Sequence, residues 1–289
     1  MDRGLLETLN AERRARRAVI RVTNLATGAE RLVREAELDP SDPLGAELAG
    51  RFRSAKSGMV ETADGGRLFL TVHVPPPRLV CIGAVHITQA LAPMARMAGF
   101  DVTVIDPRTA FATEARFEGV PLFPDWPDDV IPGKVGLDAY TGLVAVTHDP
   151  KIDDWPIARA LEAGSFYVGA LGSRKTHAKR VERLTASGVD PAAIARIAAP
   201  IGLDIGAQSP AEIAVAVLAQ AIQALRRRPA AEAAKGGTTA EAARAGTTAE
   251  SARGGTAAEA VRAGTTAEAA RDGSAADVAP TGVSADAAS

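Results

Sequence analysis

One stretch, RLVCIGAVHITQALAPMARMAGFDVTVIDPR at residues 78–108, leaves few folds open. An apolar run meets a glycine, a helical pattern follows, a second apolar run returns, and an acid closes the unit. Strand, helix and strand within roughly thirty residues form a parallel βαβ unit. Parallel strands need a crossover connection and cover on both faces. Further apolar runs at 143–147 and 165–169 join those at 78–83 and 101–106, with helical patterns at 87–98, 153–162, 173–187 and 209–227. Their alternation predicts an α/β fold: a doubly wound, Rossmann-like, mainly parallel sheet over residues 78–228.

The turn after the first strand departs from the dinucleotide fingerprint. Gly83 supplies the first glycine, which permits a tight turn. Val85 stands where the second is needed for close approach of backbone to pyrophosphate, and Thr88 where the third is. A β-branched Val85 obstructs that approach. The acid that would hold a ribose is present as Asp106, with Arg108 within reach of a phosphate. Asp106 has two readings, a ribose-binding carboxylate or a residue that ends a strand before Pro107. His86 stands where a helix N-terminus faces a ligand, and can donate a hydrogen bond there or cap the helix.

Three more polar loops follow strand ends of the same sheet. VAVTHDPKIDD (144–154) carries His148 and Asp149, the weak candidates for proton transfer, although adjacent side chains at a strand end point apart. FYVGALGSRKTHAKR (166–180) brings Gly169, Gly172, Ser173 and Arg174 into a turn that opens a helix, with Ser173 as N-cap and an array suited to an anion. IGLDIGAQSPAEIA (201–214) holds Asp204 between two glycines. Ligands of open α/β sheets bind outside the carboxyl ends of the strands. Gly83, His86, Asp106, Arg108, His148, Gly169, Gly172, Ser173, Arg174 and Asp204 are therefore the candidate cofactor-binding residues. Four scattered histidines and the single cysteine, Cys81, predict no metal site.

Residues 1–74 read as a small α+β region, with helices near 3–16 and 42–54, strands at 18–24 and 31–34, and a hairpin of 58–62 with 67–74. Pro75-Pro76-Pro77 forms a stiff linker. From Ala231 the chain repeats with period nine, AEAAKGGTT then AEAARAGTT, with little larger than alanine to bury, so 229–289 is expected to be a disordered tail. A net charge of -2 argues against nucleic acid as a partner, and no apolar run reaches membrane-spanning length. Cys81 as the lone thiol and an N-terminus without a secretory core suit a cytoplasmic protein.

GAVHITQALAPMA, VTVIDPR, THDPKIDD, YVGALGSRKTHAKR and APIGLDIGAQSPAEIA, in that order, resemble the Rossmann domain of the XdhC/CoxI family over about residues 78–227. The resemblance implies a maturation factor for molybdenum hydroxylases such as xanthine dehydrogenase or carbon monoxide dehydrogenase. Members of the family bind molybdenum cofactor, assist its sulfuration by a cysteine desulfurase, deliver it to the apoenzyme, and self-associate as dimers. The commoner family pattern is Gly-x-Gly-His, from which Val85 departs. Residues 1–74 lack the cysteine of the family's other domain, which a separate protein is then expected to supply. The alternative on the same scaffold is an NAD(P)-dependent oxidoreductase, against which Val85 argues.

Overall fold

The computed structural model describes residues 2–39 and 41–228. The first part is a four-stranded antiparallel sheet in the order β2-β1-β4-β3, from β1 (Val19–Asn24), β2 (Glu30–Arg34), β3 (Gly58–Glu61) and β4 (Arg67–His73). Helices α1 (Arg3–Arg14) and α2 (Gly45–Ser54) accompany it. Ile20, Val22 and Leu70 alternate onto one face, where Leu48 and Phe52 of α2 close a small core.

Four residues, Val74 to Pro77, lead from β4 into β5 (Arg78–Ile82). The second sheet is parallel throughout, in the order β7-β6-β5-β8-β9, with β6 at Asp101–Ile105, β7 at Leu122–Phe123, β8 at Thr141–Ala145 and β9 at Tyr167–Ala170. Chain order reverses between β5 and β8, and a crevice opens outside the carboxyl ends of the strands at such a reversal. The segment at Ala198 extends the array beyond β9 through a parallel bridge to Gly169.

Helices cover both faces. Leu79 and Cys81 point to the side closed by α3 (His86–Met97) and α8 (Pro210–Arg227). Val80 and Ile82 point to the side closed by α5 (Pro150–Glu162) and by Leu184 of α6 (Arg174–Ala186). This two-sided burial explains why the strands read as unbroken Val, Ile and Leu rather than alternating with polar residues. The short helices α4 (Pro127–Val130) and α7 (Pro191–Ile194) and a π-helical turn at Ile131–Val135 fill connections in which the sequence showed no element. The repeat-bearing residues 229–289, expected to be disordered, lie outside the described residues.

The two sheets are joined by a buried polar contact. Arg228, just past α8, pairs with Glu35 at 2.7 Å, and the Tyr140 hydroxyl donates to the same carboxylate at 2.8 Å. The Arg228 guanidinium also lies 4.0 Å from the centre of the Tyr140 ring. On sequence, Arg226-Arg227-Arg228 reads as a cluster that complements a helix dipole. Arg226 and Arg227 are exposed, as that reading requires, but Arg228 is turned inward.

Candidate functional site

Parallel pairing of β5, β6, β8 and β9 delivers the loops that follow these strands to one edge of the sheet. The first loop is built around Gly83, whose φ of +118° is open to few side chains. A Cβ there would stand 2.9 Å from Thr147 Cγ2, so the glycine also lets the loops after β5 and β8 pack together. Thr88 does the work of a third glycine differently: its buried hydroxyl donates to the Gly83 carbonyl at 2.6 Å and locks α3 to the turn. Val85 is the N-cap of α3, with no side-chain cap bond, and lays its side chain on the core. His86 is exposed beside it.

Asp106 is fully buried. One carboxylate oxygen accepts from the Ala84 amide at 2.7 Å and from Arg108 Nη2 at 2.8 Å. The other accepts from the Arg108 amide at 3.0 Å and from Arg108 Nε at 2.9 Å. Burial alone would raise its pKa, but the guanidinium and the amide donors outweigh that and hold the carboxyl below the usual range. The carboxylate thus ties the β5 turn to the end of β6. Arg108 keeps about a third of its side chain in contact with solvent at this edge (32%). Arg116 adds a second tie, donating to the Ala84 carbonyl at 3.0 Å.

At the end of β8, His148 is exposed and holds a φ of +66°, rare for a residue with a side chain. Its amide donates to Asp153 Oδ2 at 3.1 Å, and Thr147 Oγ1 donates to Asp153 Oδ1 at 2.7 Å. Asp153 is buried, which pushes its pKa up to about 6. Asp149 turns into α5 as its N-cap and accepts from the Lys151 amide at 2.9 Å, so its carboxylate serves the helix rather than His148.

After β9, Ser173 is the N-cap of α6 as the sequence indicates, accepting from the Thr176 amide at 3.2 Å. Gly172 has a φ of +139°, and Arg174 and Lys175 are exposed. Gly169 lies inside β9, where a Cβ would collide with the Tyr167 hydroxyl and Ile201; its bareness serves the interior. Asp204 is exposed in a loop anchored by Gln220, whose Oε1 accepts from the Gly202 amide at 2.8 Å and from Tyr167 at 2.7 Å.

Sequence reasoning passed over Asp153 and Arg180. Arg180 is buried on α6, donates to the Leu171 carbonyl at 3.1 Å, and faces Asp154 Oδ1 across 3.8 Å from Nε, too far for a hydrogen bond. A signal existed for both. Asp153 shares the buried face of α5 with Ile152, Ile157 and Leu161, and Arg180 lies four residues before buried Leu184. A charge on the apolar stripe of a helix marks a position that packing alone does not explain.

The edge thus presents amides of the α3 turn, the Arg108 guanidinium, exposed His86 and His148, and the cations opening α6. These groups suit a phosphate. Burial pushes the Cys81 thiol up to about 12, which keeps it protonated and unreactive. Among the described residues, no group of three or more His, Cys, Asp or Glu side chains is placed to hold a metal ion. Among them, too, no helix is long and apolar enough to cross a membrane.

A family model, the XdhC Rossmann domain, matches residues 79–221. The chain is 34% identical over 161 residues to a probable xanthine dehydrogenase subunit from Bacillus subtilis, covering 55% of this chain and 46% of that one. It is 27% identical over 185 residues to the molybdenum cofactor insertion chaperone PaoD of Escherichia coli, covering 63% and 52%. It is 31% identical over 190 residues to the uncharacterized protein YqeB of Escherichia coli, covering 62% and 34%. The matched regions thus span about a third to a half of these curated relatives. The fold resembles a xanthine dehydrogenase structure from Bacillus halodurans with a TM-score of 0.57 and 23% identity, covering 80% of this chain and 69% of that one.

Proposed function

The chain is a member of the XdhC family through its Rossmann domain, and on that premise we propose that it is an accessory factor in the maturation of a molybdenum hydroxylase. It binds molybdenum cofactor as cargo at the carboxyl edge of the parallel sheet and hands it to the apoenzyme. The observation that carries this reading is the convergence, at one edge, of loops rich in amide and cationic donors. Similarity to a relative named as a molybdenum cofactor insertion chaperone supports this choice of cargo.

The residues fit the pterin phosphate better than the metal. Arg108, His86, His148 and Arg174, with the backbone amides that open α3 and α6, form a cradle of donors for phosphate oxygens. The inert Cys81 offers no thiolate to molybdenum. The bound cofactor supplies its own redox chemistry to the client; the residues of this chain bind and orient it. Sulfuration by a cysteine desulfurase, self-association as a dimer, a cytoplasmic setting and a separate protein carrying the family's other domain belong to the same proposal. A nicotinamide dinucleotide is disfavoured twice over: Val85 caps α3 where the pyrophosphate needs bare backbone, and Asp106 has its lone pairs engaged by the turn.

Deleting the gene in the native host tests the role. Its molybdenum hydroxylase should accumulate as apoenzyme, rescued by the wild-type chain and poorly by the exposed double variant Arg174→Ala/Lys175→Ala. A client that is fully active in the deletion strain would contradict the proposal.

A further inference from the structure

A sizeable cavity lies away from that edge. About 690 Å³ in volume, it lies where β4 runs into the prolines that precede β5, at the opposite end of that strand from the Gly83 turn. Arg13 and Arg14 at the end of α1, Arg17 just beyond it, and His73 at the end of β4 line it. Val72, Val74 and Pro75 supply an apolar floor. No acidic side chain lines it.

Two of the three arginine charges, those of Arg13 and Arg14, have no acidic partner among the described residues. Arg17 pairs with Glu12 at 2.7 Å, and Arg34 takes up the other oxygen of that buried carboxylate at 3.1 Å. Glu12 is therefore engaged by two arginines. Arg13 and Arg14 are exposed, and their side chains make no hydrogen bond or ion pair among the described residues. Burial first, then the positive charges of Arg13 and Arg21, lowers the pKa of His73. The volume falls within the range of small-molecule sites.

We propose that this cavity is a second ligand site, separate from the sheet edge, that takes a phosphate-bearing heterocycle about the size of a mononucleotide. The arginines engage the phosphate, His73 and Asn10 add donors, and the ring lies on Val72, Val74 and Pro75. The site does not depend on the maturation role and stands or falls by itself.

Calorimetric titration of the full chain with AMP, GMP, pyridoxal phosphate and inorganic pyrophosphate tests it. At least one of the three heterocyclic phosphates should bind, and more tightly than pyrophosphate. The double variant Arg13→Ala/Arg14→Ala removes two exposed side chains and should weaken that binding by about tenfold or more. Arg174→Ala/Lys175→Ala at the sheet edge should leave it unchanged. Failure of all three heterocyclic phosphates to bind, or pyrophosphate binding as tightly as any of them, would overturn the proposal. So would affinity that is indifferent to the Arg13/Arg14 variant, or lost in the Arg174/Lys175 variant.

Discussion

Asp106 accepts four hydrogen bonds in a buried position, so it organises the site from within. Asp106→Asn exchanges an acceptor for a donor against the guanidinium of Arg108 and removes a buried charge pair. It should cost about 2–4 kcal/mol, read as a lower urea midpoint. For the same reason Val85→Gly, which restores the fingerprint glycine, should not create NADH binding in a fluorescence titration; tight binding would show that Val85 alone was the obstacle.

Asp153 predicts a pH effect of definite sign. Its pKa is raised in the folded chain to about 6, so folding favours the protonated form. The associated stability is fully present below the unfolded value and is lost as pH rises through about 6. Asp153→Asn should remove up to about 3 kcal/mol of that decline when unfolding is followed between roughly pH 4 and 7. An unchanged profile would mean that the carboxyl is better solvated than its position implies. Gly83, Asp106 and Ser173 were legible in sequence because spacing from a strand end fixes what such residues do. Asp106 left two readings because only the fold shows what faces a carboxylate. Asp153 was passed over because its role depends on a loop bent back over it.

Among the elements, the joint between the loops after β5 and β8 is the tightest feature of the edge. Gly83→Ala adds a Cβ at positive φ and within 2.9 Å of Thr147 Cγ2. It should destabilise by about 2–4 kcal/mol and loosen both loops, seen as faster amide exchange at 83–88 and 146–149. The strands and long helices were legible because period and apolar runs report burial directly. Expected helices at 87–98, 173–187 and 209–227 match α3, α6 and α8 to within a residue at each end. The helix expected at 153–162 begins earlier, at Pro150, behind the Asp149 cap: a cap and first-turn proline plain in the sequence. The strand expected at 143–147 runs from Thr141 to Ala145. Gly142 belongs to it because the Phe166 ring fills the space a Cβ would take, a tertiary fact no local pattern contains. The two-residue β7 carries too little sequence to show a period.

At the scale of the whole molecule, the antiparallel and parallel sheets are held together partly by the buried contact of Glu35, Tyr140 and Arg228. Arg228→Ala leaves the Glu35 carboxylate buried without its cation. It should lower stability by about 3–5 kcal/mol, whereas Tyr140→Phe should cost about 1. Comparable costs for the two would contradict the weight given to the ion pair. This joint spans 193 residues of sequence, so nothing local to residue 35 or 228 announced it. The antiparallel and parallel sheets themselves could be told apart, because hairpin turns and βαβ alternation leave different punctuation.

The central claim is that one edge of the parallel sheet grips a phosphate-bearing pterin. Its most direct test is mass spectrometry of the small molecules released from the full chain, purified anaerobically from its native host. The wild-type chain should release molybdopterin, and Arg174→Ala/Lys175→Ala should release much less at equal yield of folded protein. Release of an adenine dinucleotide from the wild type, or equal molybdopterin from both, would contradict it.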